Sequence, residues 1–215
     1  MSDRQGRRGL FITFEGMDGS GKSTQIAYLE AELRALGREV LVLREPGGTP
    51  VGDWIRALLL DPAFSEMEPV TEMLLYAASR AQLVRERIRP ALADGKIVVC
   101  DRFLDSSLAY QAAGRGLDGL VMEVNRCAVD GLQPDRTFFI DVPPAAGRSR
   151  ISGNRELDRI ERENEDFQNR VYAGFLAVAE RDPGRVLVID GRQEPETVRN
   201  AVWSSVEELL RSEEA

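Results

Sequence analysis

The chain has 215 residues, a net charge of −8 and no histidine. That length suits one domain with a full core, and the acidic balance argues against a general nucleic-acid binder, which carries an excess of basic charge. The missing histidines remove Ser-His and Cys-His nucleophiles and every His-ligated metal site.

From the N-terminus, Met1 to Gly9 is polar and holds no apolar signal core, and no run approaches the roughly 18 apolar residues of a membrane span. Neither a leader nor a membrane partner is expected. Leu10-Phe11-Ile12-Thr13-Phe14 predicts a first strand and Gly16 to Ser23 a glycine loop. Ile26, Leu29, Leu33 and Leu36 then mark one face of a helix that Gly37 stops. Glu39 to Leu43 reads as a second strand, and Arg44-Glu45-Pro46-Gly47-Gly48-Thr49-Pro50 as a loop beyond its carboxyl end. A short helix near Gly52 to Leu60 follows. A long one runs from about Pro69 to Ala93, with Val70, Met73, Ala77, Ala81, Val84 and Ile88 on one face. Ile97 to Cys100 is a third strand, closed by Asp101-Arg102. Two helical stretches lead to a fourth strand, Thr137 to Ile140, ended by Asp141. A charged segment, Arg148 to Arg162, precedes a helix to about Arg181, then a fifth strand, Val186 to Ile189, and a last helix from about Glu194 to Leu210.

Five short, unbroken apolar strands separated by helices predict an α/β fold: a five-stranded parallel sheet flanked by helices on both faces, in three layers. Ligands bind such sheets at the carboxyl ends of the strands. The cysteines, Cys100 and Cys127, are too few for a disulfide scaffold and point to a reduced, cytoplasmic setting, with Cys100 buried.

Gly16-Met17-Asp18-Gly19-Ser20-Gly21-Lys22-Ser23 fits G-x-x-x-x-G-K-[ST] between a strand and a helix. In that context backbone N–H groups and a helix N-terminus hold a polyphosphate. Lys22 is expected to reach the outer phosphates, and the Ser23 hydroxyl to face Mg2+. Two of the 28 basic residues are lysines, leaving 26 arginines, yet lysine stands where a compact ammonium is wanted. Asp101, ending a strand beside this loop, takes the position of a carboxylate near magnesium; its plainer reading is a helix N-cap ahead of Phe103 to Gln111. Tyr76 and Arg80 are i and i+4 on one helix face. Their plainer readings are a core-edge aromatic and a solvated arginine.

The stretch Asp101-Arg102-Phe103-Leu104-Asp105-Ser106-Ser107-Leu108-Ala109-Tyr110-Gln111, with Arg44 to Thr49 and Leu157-Asp158-Arg159-Ile160-Glu161, resembles thymidylate kinase of the bacterial type. The likeness runs from about Gly9 to Leu210. It implies a single nucleoside monophosphate kinase domain, 1–215, with the P-loop kinase fold. Its parts are the P-loop at 16–23, an acceptor region at about 44–80 and a mobile lid at about 148–161. It also implies phosphoryl transfer from ATP to dTMP, giving ADP and dTDP for dTTP biosynthesis, with Mg2+ and as a homodimer. The ATP-binding set implied is Gly16, Met17, Asp18, Gly19, Ser20, Gly21, Lys22, Ser23 and Thr24. Asp18 matches the acidic position facing the acceptor's sugar or its metal, and Arg56 and Arg102 look like clamps on the acceptor phosphate. Tyr76 matches the aromatic that stacks on thymine, Arg80 the residue that reads the base edge, and Ser107, Tyr110 and Gln111 the base and sugar contacts.

Phosphoryl transfer needs cations on the developing charge, and this P-loop carries no arginine at its variable positions, so the lid should supply one. Arg150 fits the basic position that begins the lid. The family's usual Arg-Gly reads Asn154-Arg155 here, so Arg148 and Arg155 stay open beside it. The catalytic set expected is therefore Lys22, Arg102, Asp18 and Arg150, with Ser23 and Asp101 toward the metal. The competing readings are a P-loop kinase of another monophosphate and a nucleotide-dependent switch. The switch would want an N-K-x-D loop, which is absent.

Overall fold

The unbroken apolar runs form five parallel strands in a single sheet. They are β1 (Phe11–Glu15), β2 (Val40–Arg44), β3 (Ile97–Asp101), β4 (Arg136–Asp141) and β5 (Val186–Asp190), in the spatial order β2-β3-β1-β4-β5. The computed structural model describes residues 8–151 and 156–214. Alternate strand residues face opposite sides, so each run feeds two cores. On one face Ile12, Phe14, Val99, Phe138 and Ile140 meet α1 (Lys22–Ala35) and α9 (Pro195–Glu214). On the other, Phe11, Val98 and Cys100 pack on Leu83, Val84 and Ile88. Phe139 and Val186 pack there on Phe167, Val171 and Phe175 of α8 (Glu165–Arg181). The three layers and the buried Cys100 thiol match expectation.

Every strand runs one residue past its apolar run, onto a charged residue. Across the sheet the carboxyl ends read Arg44, Asp101, Glu15, Asp141 and Asp190. This charged edge is where the glycine loop leaves β1.

The helices depart from expectation at identifiable residues. Helix α2 (Pro50–Leu60) starts two residues early because the Thr49 hydroxyl accepts from Gly52 N at 3.0 Å and Pro50 takes the first helical position, where its missing N–H is not needed. The long helix is three pieces: α3 (Pro69–Leu83), a π-turn over Val84–Ile88, and α4 (Arg89–Ala93). Pro90 has no N–H to return to the preceding turn, and the wider turn accommodates that loss. Val70 is exposed rather than buried, and Leu36 lies beyond α1 in solvent. The helix expected over Phe103 to Gln111 is α5 (Leu104–Ser107) continued by a π-turn over Leu108–Gly114, followed by α6 (Asp118–Val129). An unforeseen helix, α7 (Pro144–Arg150), opens the charged segment. No helix among the described residues is long and apolar enough to cross a membrane.

Candidate active site

Gly16, Gly19 and Gly21 hold φ of 139°, 76° and 99°, a region glycine enters without a Cβ penalty. Gly21 is the N-cap of α1; no side chain caps that end and no acidic residue occupies its first turn. Its first amides are left to an anion rather than to a side chain. Lys22 is buried, and its Nζ donates to the carbonyls of Gly16 (3.1 Å) and Met17 (3.0 Å). Burial, then the Arg102 charge, lowers its pKa to about 8.

Ser23, Thr24, Asp101, Arg102 and Arg150 line the same phosphate-sized cleft. Asp101 Oδ1 is buried with no hydrogen-bond partner, and the residue that caps α5 is Phe103, so the N-cap reading of Asp101 fails. Two hard oxygen ligands, Ser23 and Asp101, beside a polyphosphate cradle fit Mg2+, which completes its shell with phosphate oxygens and water. Helix α7 reaches this cleft through a glycine contact. A Cβ on Gly19 would sit 2.1 Å from the Gly147 carbonyl oxygen, and one on Gly147 2.5 Å from that of Asp18. That close approach delivers Arg150 to the cleft, where its Nη1 donates to the Gly191 carbonyl at 2.8 Å.

A second cleft gathers Asp18, Arg56, Tyr76, Arg80, Arg102, Ser107, Tyr110 and Gln111, every residue expected to hold an acceptor. They hold different stations in it. Arg80 is 1% exposed, and its guanidinium is engaged throughout. Its Nε donates to Glu45 Oε2 (2.8 Å), which also forms an ion pair with Nη2 (2.7 Å); Nη1 donates to Ser107 Oγ (3.0 Å) and Asn125 Oδ1 (2.6 Å), and Nη2 to the Phe103 carbonyl (3.0 Å). The solvated-arginine reading is wrong; Arg80 is a fixed part of the wall. Gln111 is buried and donates to Glu72 at 3.0 Å. The Tyr110 hydroxyl is buried without a partner, and burial raises its pKa, as it does that of Tyr76.

The two clefts share Asp18, Glu45, Arg56 and Arg102. Arg102 is the hub. Its Nη2 donates to Asp18 Oδ1 at 2.7 Å and its Nη1 to Ser106 Oγ at 3.1 Å, with its guanidinium 5.2 Å over the Tyr110 ring. Its backbone is left-handed, φ 70°, a conformation that costs a non-glycine residue about 1–3 kcal/mol and persists only where surroundings impose it. Arg56 Nη1 donates to the Pro46 carbonyl at 3.0 Å, and burial, then Arg44, lower its pKa.

A phosphate cradle joined to a second cleft through shared arginines is the arrangement of a phosphoryl transferase, and comparison identifies which. The family model described as thymidylate kinase matches residues 14–202. The chain belongs to the thymidylate kinase family. It is 51% identical over 205 residues to the thymidylate kinase of Desulforudis audaxviator, covering 94% of this chain and 92% of that one. It is 50% identical over 202 residues to that of Deinococcus radiodurans, covering 94% and 98%. The crystal structure of thymidylate kinase from Ehrlichia chaffeensis superposes with a TM-score of 0.74 at 33% identity, over 93% of this chain and 99% of that one.

Within this thymidylate kinase fold the lid candidates separate. Arg150 lines the phosphate cleft, Arg148 is exposed on α7 away from it, and Arg155 lies outside the described residues. Downstream, Arg155 to Arg162 also reads from sequence as the charged, solvated start of a helix, but among its described residues Arg159 and Ile160 are buried. Asp158 and Ile160 line the acceptor cleft. Arg159, 6% exposed, donates to the Leu59 carbonyl (2.8 Å) and Glu72 Oε2 (2.7 Å). Burial pushes the Glu72 carboxyl up, but hydrogen bonds and charge from Arg115, with Gln111 and Arg159, outweigh it and hold it below its ordinary value. Glu15, Glu45, Glu72 and Arg159 take part in the site without a role assigned from sequence, although Glu45 and Arg159 lie within the motifs that carry the resemblance. For Glu15 and Glu45 the signal was present: each is an acid at the end of an apolar strand or directly beyond one.

Proposed function

We infer that this chain transfers the γ-phosphoryl group of ATP to dTMP, releasing ADP and dTDP, the reaction that feeds dTTP biosynthesis. What supports the reading most is that the eight expected acceptor residues line one cleft, and that this cleft opens into the phosphate cradle at Asp18 and Arg102. The acceptor phosphate has a second pKa near 6 and is already a dianionic nucleophile at neutral pH. No general base is required; the work is to bring two anions into line and neutralise them away from water.

The P-loop amides, Gly16 to Thr24, hold the triphosphate, with Lys22 on its outer phosphates. Arg102 and Arg56 hold the acceptor phosphate, and Arg150 supplies the lid's charge. Asp18 orients Arg102 and faces the acceptor sugar. Tyr76 stacks on thymine, while Ser107, Tyr110, Gln111 and the fixed Arg80 surround the base and sugar. Mg2+ held by Ser23, Asp101 and the phosphates would neutralise charge between donor and acceptor. The segment 148–161 acts as the lid and 44–80 as the acceptor region of one domain.

The protein acts in the cytoplasm as a homodimer without nucleic-acid partners. The net charge of −8 supports the last point. Exposed Val51, Trp54 and Leu58 on α2, with Val70 and Leu74 on α3, support the dimer. A coupled ADP-release assay over dTMP, dUMP, UMP, CMP, AMP and dGMP tests the substrate. dTMP is expected to give the highest kcat/KM, and an equal or better value for any other nucleotide overturns the assignment.

A further inference from the structure

Arg102 occupies the junction of the two clefts in a backbone conformation that its surroundings must impose. Those surroundings come from one short piece of chain. The amide of Arg102 donates to the Phe14 carbonyl at 2.9 Å. The next amide, Phe103 N, donates to Glu15 Oε1 at 2.7 Å. The other carboxyl oxygen, Glu15 Oε2, bonds Ser106 Oγ at 2.5 Å, and Ser106 Oγ in turn accepts from Arg102 Nη1. Asp18, three residues beyond Glu15, takes the remaining end of the guanidinium. The last residues of β1 and the loop that leaves it therefore hold Arg102 on both sides of its backbone and, together with Ser106, at both terminal guanidinium nitrogens.

We propose that Glu15 and Ser106 are positioning residues for phosphoryl transfer, a buried pair that fixes the left-handed turn and the guanidinium orientation of Arg102. The proposal rests on the assignment of Arg102 to the acceptor phosphate. Glu15 is 1% exposed and Ser106 is buried, and the hydrogen bonds of both side chains run to this turn and to Arg102. Both Glu15 carboxyl oxygens accept, Oε1 from the Phe103 amide and Oε2 from Ser106 Oγ. Burial, then the charge of Asp105, raises the Glu15 pKa to about 8, against the lowering pull of Ser106, Arg102 and the Phe103 amide. A glutamine amide in its place would keep one acceptor for the Phe103 amide and offer a donor to Ser106 Oγ, whose hydroxyl is free to rotate. The pairing also ties the strand that feeds the P-loop to the turn that carries the acceptor clamp, so cradle and clamp keep a fixed separation.

The test is a mutant cycle on the full-length enzyme, with kcat and both KM values measured alongside thermal unfolding. Ser106→Ala should lower kcat roughly tenfold to hundredfold, the effect of losing a hydrogen bond to a charged group, with KM for ATP within about twofold. Glu15→Met, of similar volume without the polar atoms, should do at least as much, whereas Glu15→Gln should stay within about threefold of the parent. In an Arg102→Ala background, itself severely impaired, Ser106→Ala should add less than about twofold, because residues acting through one group are non-additive. The proposal is overturned if Ser106→Ala leaves kcat unchanged, or if its full effect persists in the Arg102→Ala background. Near-normal turnover of Arg102→Ala alone would instead overturn the role of Arg102, and the positioning role with it.

Discussion

Around the glycine loop the ligand-facing groups belong to consecutive residues, Gly16 to Ser23, and most are backbone amides whose direction is set by φ at three glycines. The acceptor cleft is assembled from side chains scattered between Asp18 and Ile160, among them the buried ion pair of Arg80 and Glu45. In the proposed reading the first holds what every nucleoside triphosphate has, a chain of phosphates. The second would have to tell one base from another, and discrimination needs polar groups whose positions are fixed before the ligand arrives. Arg80 illustrates the cost: an arginine with all three guanidinium nitrogens engaged, held by four different residues in the cleft wall.

If the two regions divide the work in this way, damage to one should leave the other intact. Lys22→Ala should reduce kcat/KM by about three orders of magnitude, the loss of a preorganised charge at the transferring group. Calorimetry should still find dTMP binding within about threefold of the parent; loss of both affinities would break the division. Glu72→Ala removes the carboxylate shared by Arg115, Arg159 and Gln111 and takes from the buried Arg159 its ion-pair partner. Chemical denaturation should show a loss of about 3–5 kcal/mol, as for other broken buried ion pairs.

Tyr76→Ala should raise KM for dTMP by about tenfold to hundredfold, on the scale of one base–aromatic stack, while KM for ATP stays constant. The smallest effect separates the regions by pH. With Lys22 near pKa 8 in the free enzyme, and raised by bound phosphate, ATP binding above pH 8 must take up a proton. ATP affinity should therefore be flat below about pH 7.5 and fall above pH 8 by at most tenfold per unit, and Lys22→Ala should lose that slope. An equal slope for dTMP would show that it arises elsewhere.

The strands, the glycine loop and the layer architecture were legible because each is written in neighbouring residues. Strand ends were not, since the last residue of each is charged and only the sheet's carboxyl edge explains Glu15 or Asp190 there. In the acceptor cleft, spacing put Tyr76 and Arg80 on one face of a helix, while the remaining positions came from the likeness to a family. What neither supplied was the partnering. Arg80 finds Glu45 35 residues away and Asn125 45 residues away, and Arg159 finds Glu72 at a separation of 87. Burial of a charged side chain depends on such distant partners, so Arg159 within Arg155 to Arg162 looked like solvated charge. The placement of α7 depends on two glycines meeting face to face across chain segments, which no local pattern encodes.

The division of labour is tested most directly by a crystal structure with a two-headed analogue joining adenosine to thymidine through five phosphates. Thymine should lie in the cleft of Tyr76, Arg80 and Gln111, with the phosphate chain running past Arg102 and Lys22 onto the amides of Gly16 to Ser23. Thymine bound elsewhere, or a phosphate chain that bypasses Arg102, would contradict the account.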